Sequence, residues 1–245
     1  MNLSEKVALR LLSNLDPEKA HNLAMRALKF GFIPKTQGFQ AKSLELSVAG
    51  LKFKNPLGLA AGFDKNAEAI KPLLKFGFGF IEVGAVTPLA QTGNPKPRLF
   101  RLKEDNAIIN RFGFNNDGMH EVSKRLSKRP SNGIVGLNLG ANKNSADRII
   151  DFATVFKACS EFIDFATVNV SSPNTENLRE LQSDKELRKL LNGVIAGQDS
   201  LKTKVPVFLK IAPDLEKQEL KNIALVAIDT SCLLYTSPSP RDRSI

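Results

Sequence analysis

The run Asp164-Phe165-Ala166-Thr167-Val168-Asn169-Val170-Ser171-Ser172-Pro173-Asn174-Thr175-Glu176-Asn177-Leu178-Arg179 decides how the rest of the chain is read. Its first five residues are the short β-branched and aromatic sequence that becomes a buried strand. From Asn169 to Asn177 seven polar side chains then crowd one loop, with Pro173 fixing the backbone among them. A surface turn before a helix needs only one or two such residues. A serine flanked by asparagine amides at the C-terminal end of a strand suits a planar, polar substrate.

Working outward, strands and helices alternate. A hairpin is expected at 44–54 around Gly50, then a strand at 57–60, a helix at 66–76 and a strand at 80–84. A Pro/Gly-rich excursion runs to about Phe114. A helix at 116–128, a strand at 134–139 and a helix at 146–161 lead into the strand at 164–169. A helix at 184–195, a strand at 205–211 and a helix from Leu215 follow. Near-continuous apolar strands in this rhythm mean a parallel sheet covered by helices. Polar groups follow five consecutive strands: Gly62 to Asn66, Thr87-Pro88, Asn138 to Gly140, Asn169 to Asn174, and Lys210. Polar groups delivered to one rim by successive strands fit a (β/α)₈ barrel. A doubly wound sheet gathers them at one switch point, and no GxGxxG follows the first strand. The expected fold class is therefore α/β, a TIM barrel that is incomplete, with about five of eight strands.

Composition bounds the function. The 245 residues are 42% hydrophobic and carry a net charge of +10, so the chain is a globular protein suited to anionic ligands or an anionic membrane surface. No basic run with interleaved aromatics and no zinc-finger spacing is present, which argues against nucleic acid. Two cysteines, Cys159 and Cys232, form no CxxC and fit a reducing, cytoplasmic compartment. With two histidines and no His/Cys cluster, no metal is expected.

Residues 1–42 read as two amphipathic helices. One aligns Val7, Ala8, Leu11, Leu12 and Leu15 on one face; the second opens on Asp16 and Pro17 and ends at Gly31 and Pro34. Seven Lys/Arg against three acids leave this segment basic. Two compatible readings follow: a hairpin packed on the main domain, and an interfacial membrane anchor.

Six segments in order resemble the dihydroorotate dehydrogenase family, specifically its quinone-linked, membrane-associated class. They are Asn55-Pro56-Leu57-Gly58-Leu59-Ala60-Ala61-Gly62-Phe63-Asp64-Lys65; Ile81-Glu82-Val83-Gly84-Ala85-Val86-Thr87-Pro88; Gly93-Asn94-Pro95-Lys96-Pro97-Arg98-Leu99-Phe100-Arg101; Asn110-Arg111-Phe112-Gly113-Phe114-Asn115-Asn116; Asn169 to Thr175; and Lys210-Ile211-Ala212-Pro213-Asp214. The resemblance implies an FMN barrel that oxidises dihydroorotate to orotate in pyrimidine biosynthesis and passes electrons to a membrane quinone. It implies Ser172 as the base, where the soluble class has cysteine, and Thr175 with Phe114 along a proton relay. Ser171 is expected to be the inert neighbour, because adjacent side chains of an extended segment point oppositely. Substrate contacts implied are Lys65, Asn110, Arg111, Phe112, Gly113, Phe114, Asn169 and Asn174, with Asn115 within reach. Cofactor contacts implied are Ala61, Gly62, Phe63, Asp64, Lys65, Ala85, Asn138, Asn169 and Lys210. Arg101 either lines the quinone entrance or makes a surface ion pair. The implied location is peripheral, on the cytoplasmic side of the cell membrane. Ser172 and the N-terminal extension argue against the soluble class.

Two departures stand out. Ala85 replaces the Ser or Thr usual before Val-Thr-Pro. Residues 231–245, with Pro238, Pro240 and a charged triplet, match nothing in the family, so the expected organisation is 1–42 helical extension, 43–230 partial barrel and 231–245 a foreign tail. On that reading the loops after strands 7 and 8, which hold a flavin phosphate, are missing, and the chain is expected to be inactive.

Overall fold

The computed structural model describes residues 3–31, 41–174, 178–199 and 201–236, with side chains for all of these but 3–6, 8 and 234–236. Helices α1 (Leu3–Asn14) and α2 (Pro17–Lys29) open the chain, and a hairpin of β1 (Leu46–Val48) and β2 (Leu51–Phe53) follows. Next come β3 (Gly58–Leu59), α3 (Ile70–Leu74), β4 (Phe80–Val86), the hairpin β5 (Leu99–Leu102) and β6 (Ala107–Asn110), and α4 (Met119–Leu126). The remainder alternates as β7 (Ile134–Leu139), α5 (Arg148–Cys159), β8 (Phe165–Asn169), α6 (Asp184–Ala196), β9 (Val207–Ile211), α7 (Lys217–Asp229) and β10 (Leu233–Thr236). The order β3-β4-β7-β8-β9-β10 runs through one all-parallel sheet that curls as part of a barrel.

Strand parity sorts the residues. Ile81, Val83, Val135, Leu137, Val168, Leu209 and Ile211 face outward and are buried under the helices. The alternate residues face the concave side. Phe53, Phe80, Phe165 and Phe208 floor it, a chain of edge-to-face rings with centroids 5.4, 5.8 and 5.6 Å apart. Two glycines make room for this floor. A Cβ on Gly58 would run into the Phe80 ring, and one on Gly136 into the Phe165 ring. Farther along the same strands, toward their C-terminal ends, the concave side turns polar: Glu82 on β4, Asn138 on β7, Asn169 on β8 and Lys210 on β9.

Three expectations are corrected. The helix expected at 66–76 shrinks to Ile70–Leu74. Pro72 lacks an N–H and is tolerated only in a first turn, while the Asp64 carboxylate takes the amides of Glu68 and Ala69 (both 2.8 Å) and turns the chain just before it. The excursion to Phe114 contains an antiparallel hairpin, β5 with β6. Residues 233–236, expected to lie outside the barrel, form β10 and pair parallel with β9 from Leu233 opposite Phe208 to Thr236 opposite Ile211, so the sheet has six strands. The rest of that segment, 237–245, lies outside the described residues, as does Pro34.

The helical hairpin is held to the barrel by two arginines. Arg98 grips the Glu18 carboxylate of α2 with Nη2 (2.7 Å) and Nε (3.1 Å). Arg101 donates to the carbonyls of Leu12 (3.2 Å), Ser13 (3.1 Å) and Leu15 (2.7 Å), satisfying the open C-terminal end of α1. Arg101 makes no ion pair among the described residues; it caps the end of α1.

Candidate active site

A cavity of about 250 Å³ lies at the C-terminal ends of the strands. It brings together Ala61, Gly62, Lys65, Ala85, Asn110, Phe112, Gly113, Phe114, Asn138, Asn169, Ser172, Asn174 and Lys210 from the residues singled out in the sequence. Thr175 lies outside the described residues. The structure does not bring Phe63, Asp64 and Arg111 to the lining. Phe63 packs edge-on against His21 of α2 at 5.1 Å, and Arg111 donates twice to the Pro97 carbonyl, at 2.9 and 3.2 Å. Asp64 is 1% exposed and spent on the amides before α3; burial raises its carboxyl above the usual range, and those amides pull it back.

Lys65 is the cation on one side. Its Nζ donates to the Gly62 carbonyl at 2.6 Å and sits 4.2 Å above the Phe112 ring. Burial pulls its pKa down from 10.5 to about 8, opposed by the nearby Glu18 carboxylate. Lys210 faces it from β9, half-buried, opposite Asn169 in the strand register. Its ammonium has no hydrogen-bond or ion-pair partner among the described residues.

Between the lysines runs a chain of amides. Asn138 Nδ2 donates to Glu82 Oε1 (2.7 Å), Asn169 Nδ2 donates to Asn138 Oδ1 (2.9 Å), and Ser171 donates to Asn169 Oδ1 from its Oγ (2.8 Å) and its N (3.2 Å). The last two bonds turn the backbone directly after β8. Ser171 and Ser172 therefore both line the cavity, contrary to the expectation for an extended segment. Ser172 Oγ accepts from the Asn174 amide at 3.3 Å, and Asn174 Nδ2 reaches the Asn110 carbonyl at 3.4 Å. The opposite wall is a backbone held in left-handed geometry at Gly113 (φ 68°) and Phe114 (φ 53°), pinned by Gln91 and Asn116 on the Phe114 carbonyl.

Sequence reasoning missed Gly84, Pro173 and Glu82. The period-2 parity of β4 places Glu82 on the concave side and was the signal available. It also missed a second cleft of about 350 Å³ beneath α2, where Lys65, Phe112 and Asn115 meet Glu18, His21 and Lys29.

The residues fit a flavin and a planar, anionic ring compound. Lys210 is a cation on the cavity wall with no partner among the described residues, and Asn115 carries a buried Oδ1 with no hydrogen-bond partner in the lining. Such groups await an external partner. A parallel sheet whose successive strand ends deliver polar groups to one cavity defines a (β/α)-barrel protein with its site at the C-terminal face.

Comparison with known proteins carries this further. The dihydroorotate dehydrogenase family matches residues 43–236. A dihydroorotate dehydrogenase (quinone) of Cereibacter sphaeroides is 56% identical over 229 residues, covering 93% of this chain and 65% of the relative. One from Agrobacterium fabrum is 49% identical over 230 residues, covering 92% and 63%. The crystal structure of DHODH in complex with ferulenol from Eimeria tenella superimposes with a TM-score of 0.86 at 37% identity, covering 97% of this chain and 72% of that one. The chain belongs to the dihydroorotate dehydrogenase family, a flavin-dependent one. It spans about 65% of the length of the curated relatives it matches.

Proposed function

We propose that the cavity binds dihydroorotate and FMN as part of a quinone-linked dihydroorotate dehydrogenase. The observation that carries the reading is the convergence of Ser172, Lys65 and the amides of Asn110, Asn169 and Asn174 on one cavity, with Lys210 on its far wall. Lys65 binds the substrate carboxylate, because an ammonium beside a ring face and a carbonyl is anchored but keeps donors to give. The asparagine amides hold the pyrimidine edge through the donors and acceptors their own bonds leave free. Ser172 Oγ takes the proton from C5 of dihydroorotate as its own hydroxyl proton passes to water along the relay assigned to Thr175 and Phe114. Lys210, with Ala61, Gly62, Ala85 and Asn138, holds the isoalloxazine, and its charge favours added electron density there. FMN, when bound, supplies the acceptor for the hydride from C6.

The N-terminal helices serve quinone access and membrane docking. Val7, Leu9, Leu11 and Leu15 of the α1 region and Leu23 and Phe30 around α2 are exposed apolar side chains beside a basic segment. Among the described residues no helix is long and apolar enough to cross a membrane, which suits peripheral attachment. The cytoplasmic side suits two buried, unbridged cysteines.

The experiment is anaerobic mixing of dihydroorotate with the FMN-loaded protein, its further strands and phosphate-binding loops supplied from a relative. Loss of the oxidised-flavin absorbance is expected, and an unchanged spectrum with dihydroorotate at saturation would overturn the reading.

A further inference from the structure

Glu82 does not itself line the cavity. It is 6% exposed, on the concave face of β4, and its Oε1 accepts from Asn138. A carboxylate offers acceptors only, so the side of Asn138 turned to Glu82 must be its NH₂. Asn138 Oδ1 must then face Asn169, which must answer with its own NH₂, leaving Asn169 Oδ1 for the two Ser171 donors. The direction of every bond in this chain follows from its first member.

We infer that Glu82 is a positioning residue: it fixes the donor–acceptor direction of the Asn138–Asn169–Ser171 chain, so that the amides of the cavity floor offer N–H groups to ligand carbonyls or to an anionic ring nitrogen. Counting valences gives the result. Both lone pairs of Asn169 Oδ1 are taken by Ser171, and one N–H is taken by Asn138, so what Asn169 has left is one donor. Asn138 keeps one N–H and one lone pair. With the chain reversed, Asn169 would turn its carbonyl the other way and repel the same ligand atoms. Flavin and orotate both carry such carbonyls, and the inference rests on the functional reading above.

The test breaks the first junction of the chain and then restores it. Asn138→Asp sets a second carboxylate against Glu82, where the present contact is 2.7 Å. It is expected to weaken orotate binding, read by the flavin absorbance shift, by about 30-fold, and to lower FMN retention and the melting temperature. Adding Glu82→Gln returns an N–H to that junction and lets the introduced carboxylate accept from both sides. The double variant is expected to regain about tenfold in orotate affinity together with the melting temperature. Recovery of the melting temperature without any recovery of orotate or FMN binding overturns the inference, since a merely structural role predicts that pattern. FMN retention and orotate affinity are read separately, which tells the two ligands apart. If the parent protein binds neither ligand while the melting temperatures still fall and recover, the functional reading fails and the bond direction stands. Should Asn138→Asp not accumulate, Glu82→Met removes the acceptor and a buried charge together. About a tenfold loss of orotate affinity without a lowered melting temperature supports the inference, and unchanged affinity contradicts it.

Discussion

Glu18 of α2 and Arg98, just before β5, form a two-pronged ion pair at 2.7 and 3.1 Å, with the residues 9% and 7% exposed. The pair joins positions 80 residues apart and seats the helical hairpin on the rim of the barrel beside Lys65. Removing Arg98 leaves the buried Glu18 carboxylate with the Lys96 ammonium at 3.3 Å, a side chain 66% exposed and weakly held. Arg98→Ala is therefore expected to destabilise the protein by about 3 kcal/mol in chemical denaturation. Arg98 holds the Glu18 carboxyl below its ordinary 4.5. The pair's contribution is thus complete above about pH 4.5 and is lost as pH falls through the lowered value. A loss below about 1 kcal/mol in Arg98→Ala at neutral pH would show that the pair is not sealed from water.

Lys65 gives the site a pH dependence. Its pKa of about 8 means that the unliganded protein loses this proton just above neutrality. A carboxylate ligand needs the ammonium, so orotate affinity should be level below that point and fall toward tenfold per pH unit above it. Lys65→Arg keeps its charge and should flatten the profile. A parent profile that stays level through about pH 9.5 would rule out Lys65 as the carboxylate's partner.

The aromatic floor tolerates no added carbon at Gly136. Gly136→Ala pushes a methyl into the Phe165 ring, itself wedged between Phe80 and Phe208. A destabilisation of about 1–3 kcal/mol is expected, measured by denaturant titration. No loss would mean that the rings can shift freely.

Arg101 caps α1 and does not line the cavity. Arg101→Ala should loosen α1 toward proteolysis and slow quinone reduction and vesicle binding, with flavin reduction by dihydroorotate kept within about twofold. A matching loss in flavin reduction would place Arg101 in the chemistry instead.

The strands were legible in the sequence because burial on both faces leaves short apolar runs, as at Phe165–Asn169 and Val207–Ile211. Lys65, Asn138, Asn169, Ser172 and Lys210 were legible as polar residues at strand ends. What was hidden depends on contacts distant in sequence or on a conflict between local signals. Nothing near Glu18 announces Arg98. Ser171 reaches the cavity through a turn that its hydrogen bonds to Asn169 create. The strand Leu233–Thr236 is an apolar and aromatic tetrad whose β character was masked by the prolines that follow, and only its register with β9 reveals it. The helix start at Ile70 was hidden because the Asp64 carboxylate takes the amides of Glu68 and Ala69 and turns the chain just before it.

The central claim is that Ser172 takes the C5 proton in a cavity that binds dihydroorotate. Single-turnover flavin reduction by dihydroorotate in Ser172→Ala, alongside an orotate titration of the same protein, tests it most directly. The account predicts a rate lower by about 10²–10⁴-fold with orotate affinity nearly unchanged. A rate close to that of the parent would contradict it.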